Sequence, residues 1–134
     1  EFLDLKDGSF CLLQPTSPLR TREHIKEAFD LFRPTSIGSV LSVSVPEHHP
    51  YKCLIALGAG IKPLRSFEDL VSPRQKLPKV YAPNGAIYFC DVSRFLIDKN
   101  IFHSDTKYYS MGRVSSIDID DMSDLDMAVY YLGK

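Results

Sequence analysis

Short apolar runs and one helical stripe alternate along the first third of the chain, and the period of each identifies its element. Ser9 to Leu13 is a compact apolar run that reads as a short buried strand ending at Gln14-Pro15. Thr16-Ser17-Pro18 reads as a loop. Ile25, Ala28, Phe29 and Phe32 recur at helical spacing, with Thr21 as N-cap, Glu23 in the first turn and Pro34 as the stop. Ser39 to Val45 alternates Ser with Val or Leu and reads as a second strand, closed by Pro46. This strand–helix–strand order predicts an α/β fold with a parallel sheet covered by helices. In such sheets ligands bind at the carboxyl ends of the strands, which is where Gln14 to Arg20 falls.

Residues 46–84 break that rhythm. They hold five prolines after Pro46, scattered basic residues and only short apolar pieces such as Tyr51 to Leu57. This predicts an excursion from the sheet, a hairpin or arm, of the kind that serves a function or packs on a partner. The pattern then resumes. Gly85 to Phe89 reads as a strand, Val92 to Lys99 as a short helix and Tyr108 to Met111 as a short strand. Leu125, Ala128, Val129 and Leu132 mark a final amphipathic helix. No internal repeat or low-complexity tract is present.

Composition narrows the class of protein. With 134 residues, 44% hydrophobic and 25% charged, the chain is one domain or part of one and can build a core. Its net charge is -1 with dispersed Lys and Arg, which argues against a nucleic-acid or membrane-surface partner. No apolar run is long enough to span a bilayer. The start, Glu1-Phe2-Leu3-Asp4-Leu5, does not resemble a signal peptide, and the missing initiator Met suggests a processed or truncated chain. Cys11, Cys53 and Cys90 are odd in number and lack C-x-x-C spacing. Cys11 and Cys90 are expected as reduced core residues, and the setting as cytoplasmic.

The segment Ser116-Ile117-Asp118-Ile119-Asp120 carries the strongest chemical signal. On an extended strand Asp118 and Asp120 share one face and Ile117 and Ile119 the other. Two carboxylates side by side repel each other unless a cation lies between them. Mg²⁺ bound by one or two carboxylates usually also holds a phosphate. The alternative is a strand end running into acidic helix-capping residues, and the motif alone leaves both open. His24, His48, His49 and His103 are expected as surface or loop residues. Adjacent histidines rarely share a face, and no third metal ligand is spaced near His48-His49.

Four segments, taken in order, carry a family likeness: Leu12-Leu13-Gln14-Pro15-Thr16-Ser17-Pro18-Leu19-Arg20-Thr21, Arg74-Gln75-Lys76-Leu77-Pro78, Asn84-Gly85-Ala86-Ile87-Tyr88, and Ser116 to Asp120. Together they resemble the acylneuraminate cytidylyltransferases, the CMP-sialic acid synthetases, over nearly the whole chain. The resemblance implies a Rossmann-like nucleotide-sugar transferase fold. It also implies transfer of CMP from CTP to a nine-carbon 2-keto sugar acid, N-acetylneuraminate, with release of pyrophosphate. The sugar hydroxyl attacks the α-phosphate in line, and Mg²⁺ neutralises phosphate charge. It implies Asp118 and Asp120 as the Mg²⁺ ligands. Arg74 and Lys52 become the cations that meet the sugar carboxylate, Arg74 as a bidentate fork. Gln14, Thr16 and Ser17 become the sugar's hydrogen-bonding partners, Tyr88 a wall of the pocket and Phe102 an aromatic against the N-acyl group. Each has a bland alternative as a loop, core or solvated residue.

The same resemblance implies a piece that the sequence lacks. Family members begin with a strand and a Gly-, Arg- and Lys-rich loop around the triphosphate, and no such loop precedes Gln14. Roughly two strand–helix units are wanting, at ~30 residues per βαβ step. The chain therefore reads as the C-terminal part of a cytidylyltransferase domain with an incomplete sheet. In isolation it is expected to be inactive or nearly so. The resemblance further implies a homodimer, with residues 46–84 as the dimerisation arm. Ala82 stands where many members carry Arg, which leaves the acceptor open. Pseudaminic, legionaminic and octulosonic acids are alternatives, as is a non-catalytic dimerisation remnant.

Overall fold

The computed structural model describes residues 7–32 and 38–134. Pro34 lies outside the described residues. Val45–Ala82 forms one compact unit, and the residues before and after it form the other.

The sheet unit contains β1 (Ser9–Leu12), α1 (Arg22–Phe32), β2 (Ser39–Ser44), β5 (Ala82–Asp91), α3 (Val92–Asp98), β6 (Lys107–Ser110) and α4 (Met122–Leu132). The intervening β3 (Leu54–Leu57), β4 (Gly60–Pro63) and α2 (Phe67–Val71) belong to the second unit. The four-stranded sheet has the order β1-β5-β2-β6. It is mixed rather than parallel: β2 pairs with β6 in parallel, whereas β1 pairs with β5 antiparallel. β5 also runs against β2, since Asp91 N–H reaches Gly38 O (3.0 Å) and Ile87 N–H reaches Ser42 Oγ (2.7 Å). The departure has a topological cause. A parallel neighbour needs a crossover across the sheet face, usually a helix, whereas an antiparallel one needs only a return of the chain. The segment between β2 and β5 is the separate unit, and β5 comes back in the opposite sense.

The α1 stripe behaves as its spacing predicts. Ala28 is fully buried in a cluster with Val40, Ala86, Ile87, Phe89 and Met111, and Ile25 and Phe32 pack against it. Phe29 and Phe32 approach Phe89 with ring centroids 5.5 and 5.7 Å away. Thr21 takes the N-cap place: its carbonyl accepts from Ile25 N–H (3.3 Å) and its Oγ1 from His24 N–H (3.4 Å). β1 is not the buried strand its composition suggests. Leu12 and Leu13 are 47% and 36% exposed and Cys11 is exposed, because β1 is an edge strand of this sheet. Cys90, on β5 inside the sheet, is fully buried as expected. Ser116 to Asp120 does not form a strand either. A 3₁₀ turn at Val114–Ser116 leads into irregular backbone, with Ile117 and Ile119 half-buried and Asp120 exposed.

The second unit is built on a hairpin. β3 and β4 pair antiparallel, Leu54 opposite Pro63 and Leu57 opposite Gly60. The two-residue turn uses Gly58 at φ +56°. Both strands are solvent-exposed almost throughout. His49 departs from the surface reading: it is 5% exposed. Its Nδ1 accepts from Tyr51 N–H (3.2 Å), so Nε2 carries the proton and donates to Pro78 O (3.0 Å). In the sheet unit the His103 side chain is likewise buried, with Nδ1 3.2 Å from Asp98 Oδ2. Among the described residues no helix is long and apolar enough to cross a membrane.

One cap yields a pH-dependent expectation. Asp91 precedes α3 and accepts from Ser93 Oγ (2.5 Å) and Arg94 N–H (2.9 Å). These bonds hold its carboxyl below the usual range. A depressed folded pKa contributes stability above the unfolded value, ~3.9, and that contribution is lost as pH falls through the folded value. Asp91→Ala is expected to cost about 0.5–2 kcal/mol at pH 7 in urea denaturation. The deficit should shrink steadily below about pH 4; a deficit independent of pH would show that the carboxylate charge is not what the cap uses.

Candidate functional site

Three segments of the sheet unit converge beyond the carboxyl end of β1. The first is the loop Gln14–Thr21. Ser17 N–H bonds to Gln14 O and Arg20 N–H to Ser17 O, each at 3.4 Å. Arg20 then reaches back: its Nη1 donates to Gln14 O (3.0 Å) and to Ala86 O on β5 (2.7 Å). One guanidinium thus clamps the loop to the strand, since its forked donors can serve two carbonyls at once.

The second segment is Asn84-Gly85-Ala86 at the start of β5. Gly85 has φ +77°, a left-handed backbone that favours glycine. The Gln14 side chain lies across it. A Cβ at Gly85 would collide with Gln14 Oε1 and would stand 3.5 Å from Asp118 Oδ2.

The third segment follows the 3₁₀ turn. Ile119 N–H donates to Thr16 O (2.9 Å), which pins Asp118 beside the first loop. Asp118 Oδ1 is buried without a hydrogen-bond partner, and so is Ser17 Oγ nearby in sequence to Thr16. An orphaned carboxylate oxygen can only accept, so its natural complement is a donor or a cation. Tyr88 shares this neighbourhood. Burial raises its phenol pKa, the charge of Asp118 raises it further, and a backbone hydrogen bond at Gly85 offsets part of this.

The acidic run divides its work between residues. Capping of α4 falls to Asp121, whose Oδ1 accepts from Ser123 N–H (2.8 Å) and Asp124 N–H (3.1 Å). Asp124 Oδ2 reaches back to the N–H groups of Asp120 (3.1 Å) and Asp121 (3.2 Å), completing a capping box. The carboxylates of Asp118 and Asp120 are not used in that cap. Among the described residues no group of three or more His, Cys, Asp and Glu is placed to hold a metal ion.

The other expected site residues fall outside these three segments of the chain. Lys52 and Arg74 belong to the second unit. Lys52 Nζ donates to Leu70 O (2.9 Å), and Arg74 spreads its fork over Glu47 O (2.9 Å) and Pro46 O (2.8 Å). That unit holds a cavity of about 220 Å³ lined by His49, Arg74, Gln75, Pro78 and Lys79 among others. Phe102 is half exposed in the loop after α3.

No protein-family model matches the chain. It is 36% identical over 132 residues to the N-acylneuraminate cytidylyltransferase of Streptococcus agalactiae serotype III (strain NEM316), covering 96% of this chain and 32% of that protein. A protein of the same name from Escherichia coli O18:K1:H7 is 31% identical over 134 residues, covering 90% of this chain and 29% of the other. The chain belongs to the N-acylneuraminate cytidylyltransferase family. The CMP-N,N'-diacetyllegionaminic acid synthase of Legionella pneumophila is 35% identical over 121 residues, covering 88% of this chain and 51% of that enzyme. The chain thus spans about a third of the length of the cytidylyltransferases it matches first.

Against the cytidylyltransferase resemblance, Gln14, Thr16, Ser17, Tyr88 and Asp118 fall on the converging segments, and Asp120 sits exposed beside them. Two residues of that region carry roles that their sequence context does not reveal. Arg20 belongs to the first motif without a role there, since a lone Arg in a loop gives no sign of its two carbonyl partners. Asn84 falls in the Asn-Gly-Ala-Ile-Tyr segment with no role of its own there, yet it is 8% exposed. An Asn-Gly step followed by apolar residues was the available signal for a special turn.

Gly85 supplies a direct check. Gly85→Ala is expected to destabilise the chain by more than about 1 kcal/mol in chemical denaturation, since it meets a left-handed backbone and the Gln14 side chain together. Gly112→Ala, where a Cβ meets nothing within 4 Å, should stay within about 0.5 kcal/mol. Equal effects would remove the Gln14–Gly85 contact as a constraint.

Proposed function

We propose that this segment forms part of a cytidylyltransferase that joins CTP to an N-acylneuraminate-type sugar acid, giving CMP-sialic acid and pyrophosphate. The observation that carries the reading is Asp118. Its carboxylate has one buried oxygen without a partner and the other beside Gly85, and its charge is felt by Tyr88, next to a loop held by Arg20, in a chain of this family.

In this reading Asp118 and Asp120 would hold Mg²⁺, which would supply positive charge against the triphosphate and favour ionisation of the attacking sugar hydroxyl. The chain's own residues do the rest. Gln14, with Thr16 and Ser17, orients the sugar through its hydroxyl or acylamino groups. Tyr88 lines the pocket and keeps water from one side of it. The family resemblance assigns the sugar carboxylate to Arg74 and Lys52, which belong to the second unit, and the N-acyl group to Phe102. The exposed apolar residues of the hairpin, Leu54, Leu57 and Ile61, suit a homodimer contact. Burying each is worth about 1.5–3 kcal/mol. The three cysteines are free, which suits a reducing cytoplasm.

The activity belongs to the protein that carries this segment together with a CTP-binding portion. A second acceptor is favoured by one observation: the legionaminate relative is as similar to this chain as the sialate enzymes are. The test is pyrophosphate release by the protein at its relatives' full length, with CTP, Mg²⁺ and a panel of nine-carbon and eight-carbon 2-keto sugar acids. Turnover is expected with N-acetylneuraminate. Asp120→Asn, at an exposed position that spares the fold, should lower it at least about 100-fold. Unchanged turnover in that variant would sink the metal assignment.

A further inference from the structure

The carboxamide of Asn84 is buried, and each of its hydrogen-bonding groups is engaged. Oδ1 accepts from Ser42 Oγ on β2 (2.5 Å) and from Ala86 N–H (3.2 Å). Nδ2 donates to Ser116 Oγ (2.8 Å) and to Met111 Sδ (3.4 Å). The amide's orientation is settled by Ala86, whose N–H can only donate and so must face the oxygen. The network continues on both sides. Ser42, fully buried, receives Ile87 N–H (2.7 Å) and also lies 3.2 Å from Ile87 O. Ser116 Oγ passes its hydrogen to Gly112 O (2.8 Å). One side chain thus joins β2, the Gly85 turn on β5, and the 3₁₀ turn that leads into Asp118.

The set calls for a carboxamide, with an acceptor and two donors on one planar group. Asp lacks the two donors, Ser lacks the reach, and an apolar residue would leave Ser42, Ala86 N–H and Ser116 to be satisfied elsewhere. Ser116 is two residues before Asp118, and the intervening Ile117 N–H closes the same turn on Val114 O (3.2 Å). On the far side Ile119 N–H is fixed to Thr16 O (2.9 Å). Asp118 is therefore suspended between two anchors, and Asn84 supplies the one toward the sheet.

We propose that Asn84, through Ser116, is the positioning residue for Asp118, holding its carboxylate at the Gly85 turn. The value of that position for cation binding rests on the function proposed above; the mechanical link does not. Asn84 touches no reacting group in this scheme. It acts by confining the backbone that carries Asp118, at a site where small displacements matter.

The experiment separates the two claims. Amide hydrogen exchange is followed by NMR in the parent chain and in Asn84→Asp, Ser116→Ala and Ser116→Thr. Ser116→Ala removes only the outer link and guards against loss of folding in the Asn84 variant. The amides of Ile117 and Ile119 are expected to exchange about tenfold faster in Asn84→Asp and Ser116→Ala, the effect of one lost hydrogen bond. Met111 N–H, bonded to Val43 O at the end of the β2–β6 ladder, should change less than about twofold in Ser116→Ala. Ser116→Thr, which keeps the hydroxyl, should match the parent. Unchanged exchange at Ile117 and Ile119, or a uniform rise at every amide, would overturn the proposal by showing no link or a merely structural one. Mn²⁺ binding to the same chains, read by electron paramagnetic resonance with Asp118→Asn as control, tests the metal reading alone. If Asp118→Asn leaves Mn²⁺ binding unchanged, the metal reading fails while the exchange data still decide the role of Asn84.

Discussion

Gly85 enters β5 with its backbone in the left-handed region, and its immediate neighbours carry the ties that organise the sheet unit. Asn84 before it bonds to β2 and to the turn ahead of Asp118. Ala86 after it receives the guanidinium that folds the Gln14 loop down. Ala86 and Ile87 also sit fully buried in the core. Core packing and site geometry therefore meet within four residues, so strain in one is felt in the other. The absence of a side chain at position 85 is what lets Gln14 lie across this junction.

Much of the architecture could be read from hydrophobic period. The α1 stripe, the buried β2, the short α3 and the final helix all lie within a few residues of their expected places. What could not be read was each strand's neighbours. Leu12 and Leu13 look like core until the strand order places β1 at an edge. The mixed direction of the sheet follows from a unit of 38 residues returning the chain antiparallel (Val45–Ala82), which no local pattern encodes. His49 is buried because both ring nitrogens find backbone partners, and those partners are fixed only by the folded path. The candidate site was legible as a set of motifs, Gln14 to Arg20, Asn84 to Tyr88 and Ser116 to Asp120, carried by likeness to a family. Their convergence was not legible, since it depends on Arg20 and Asn84 reaching partners tens of residues away.

The second unit shows how a small segment can be ordered with little core. Its two ends are tied by backbone-directed bonds: His49 to Pro78 O, and Arg74 to Pro46 O and Glu47 O. Arg65 adds an ion pair to the buried Asp69 (2.9 Å) and lies over the Tyr51 ring (4.2 Å). Polar bonds thus close the base, while the hairpin above it presents apolar side chains outward. Such a distribution suits a segment that completes its packing on another surface.

The capping box at the start of α4 has an electrostatic consequence of its own. An uncapped helix start offers free N–H groups and a positive dipole end to any anion. Here the amides of Ser123 and Asp124 are already taken by Asp121, and Asp124 turns its charge back over the preceding backbone. A phosphate approaching this end of α4 would meet carboxylates in place of open amides. The start of α4 therefore offers an approaching anion neither of the two amides that Asp121 already holds.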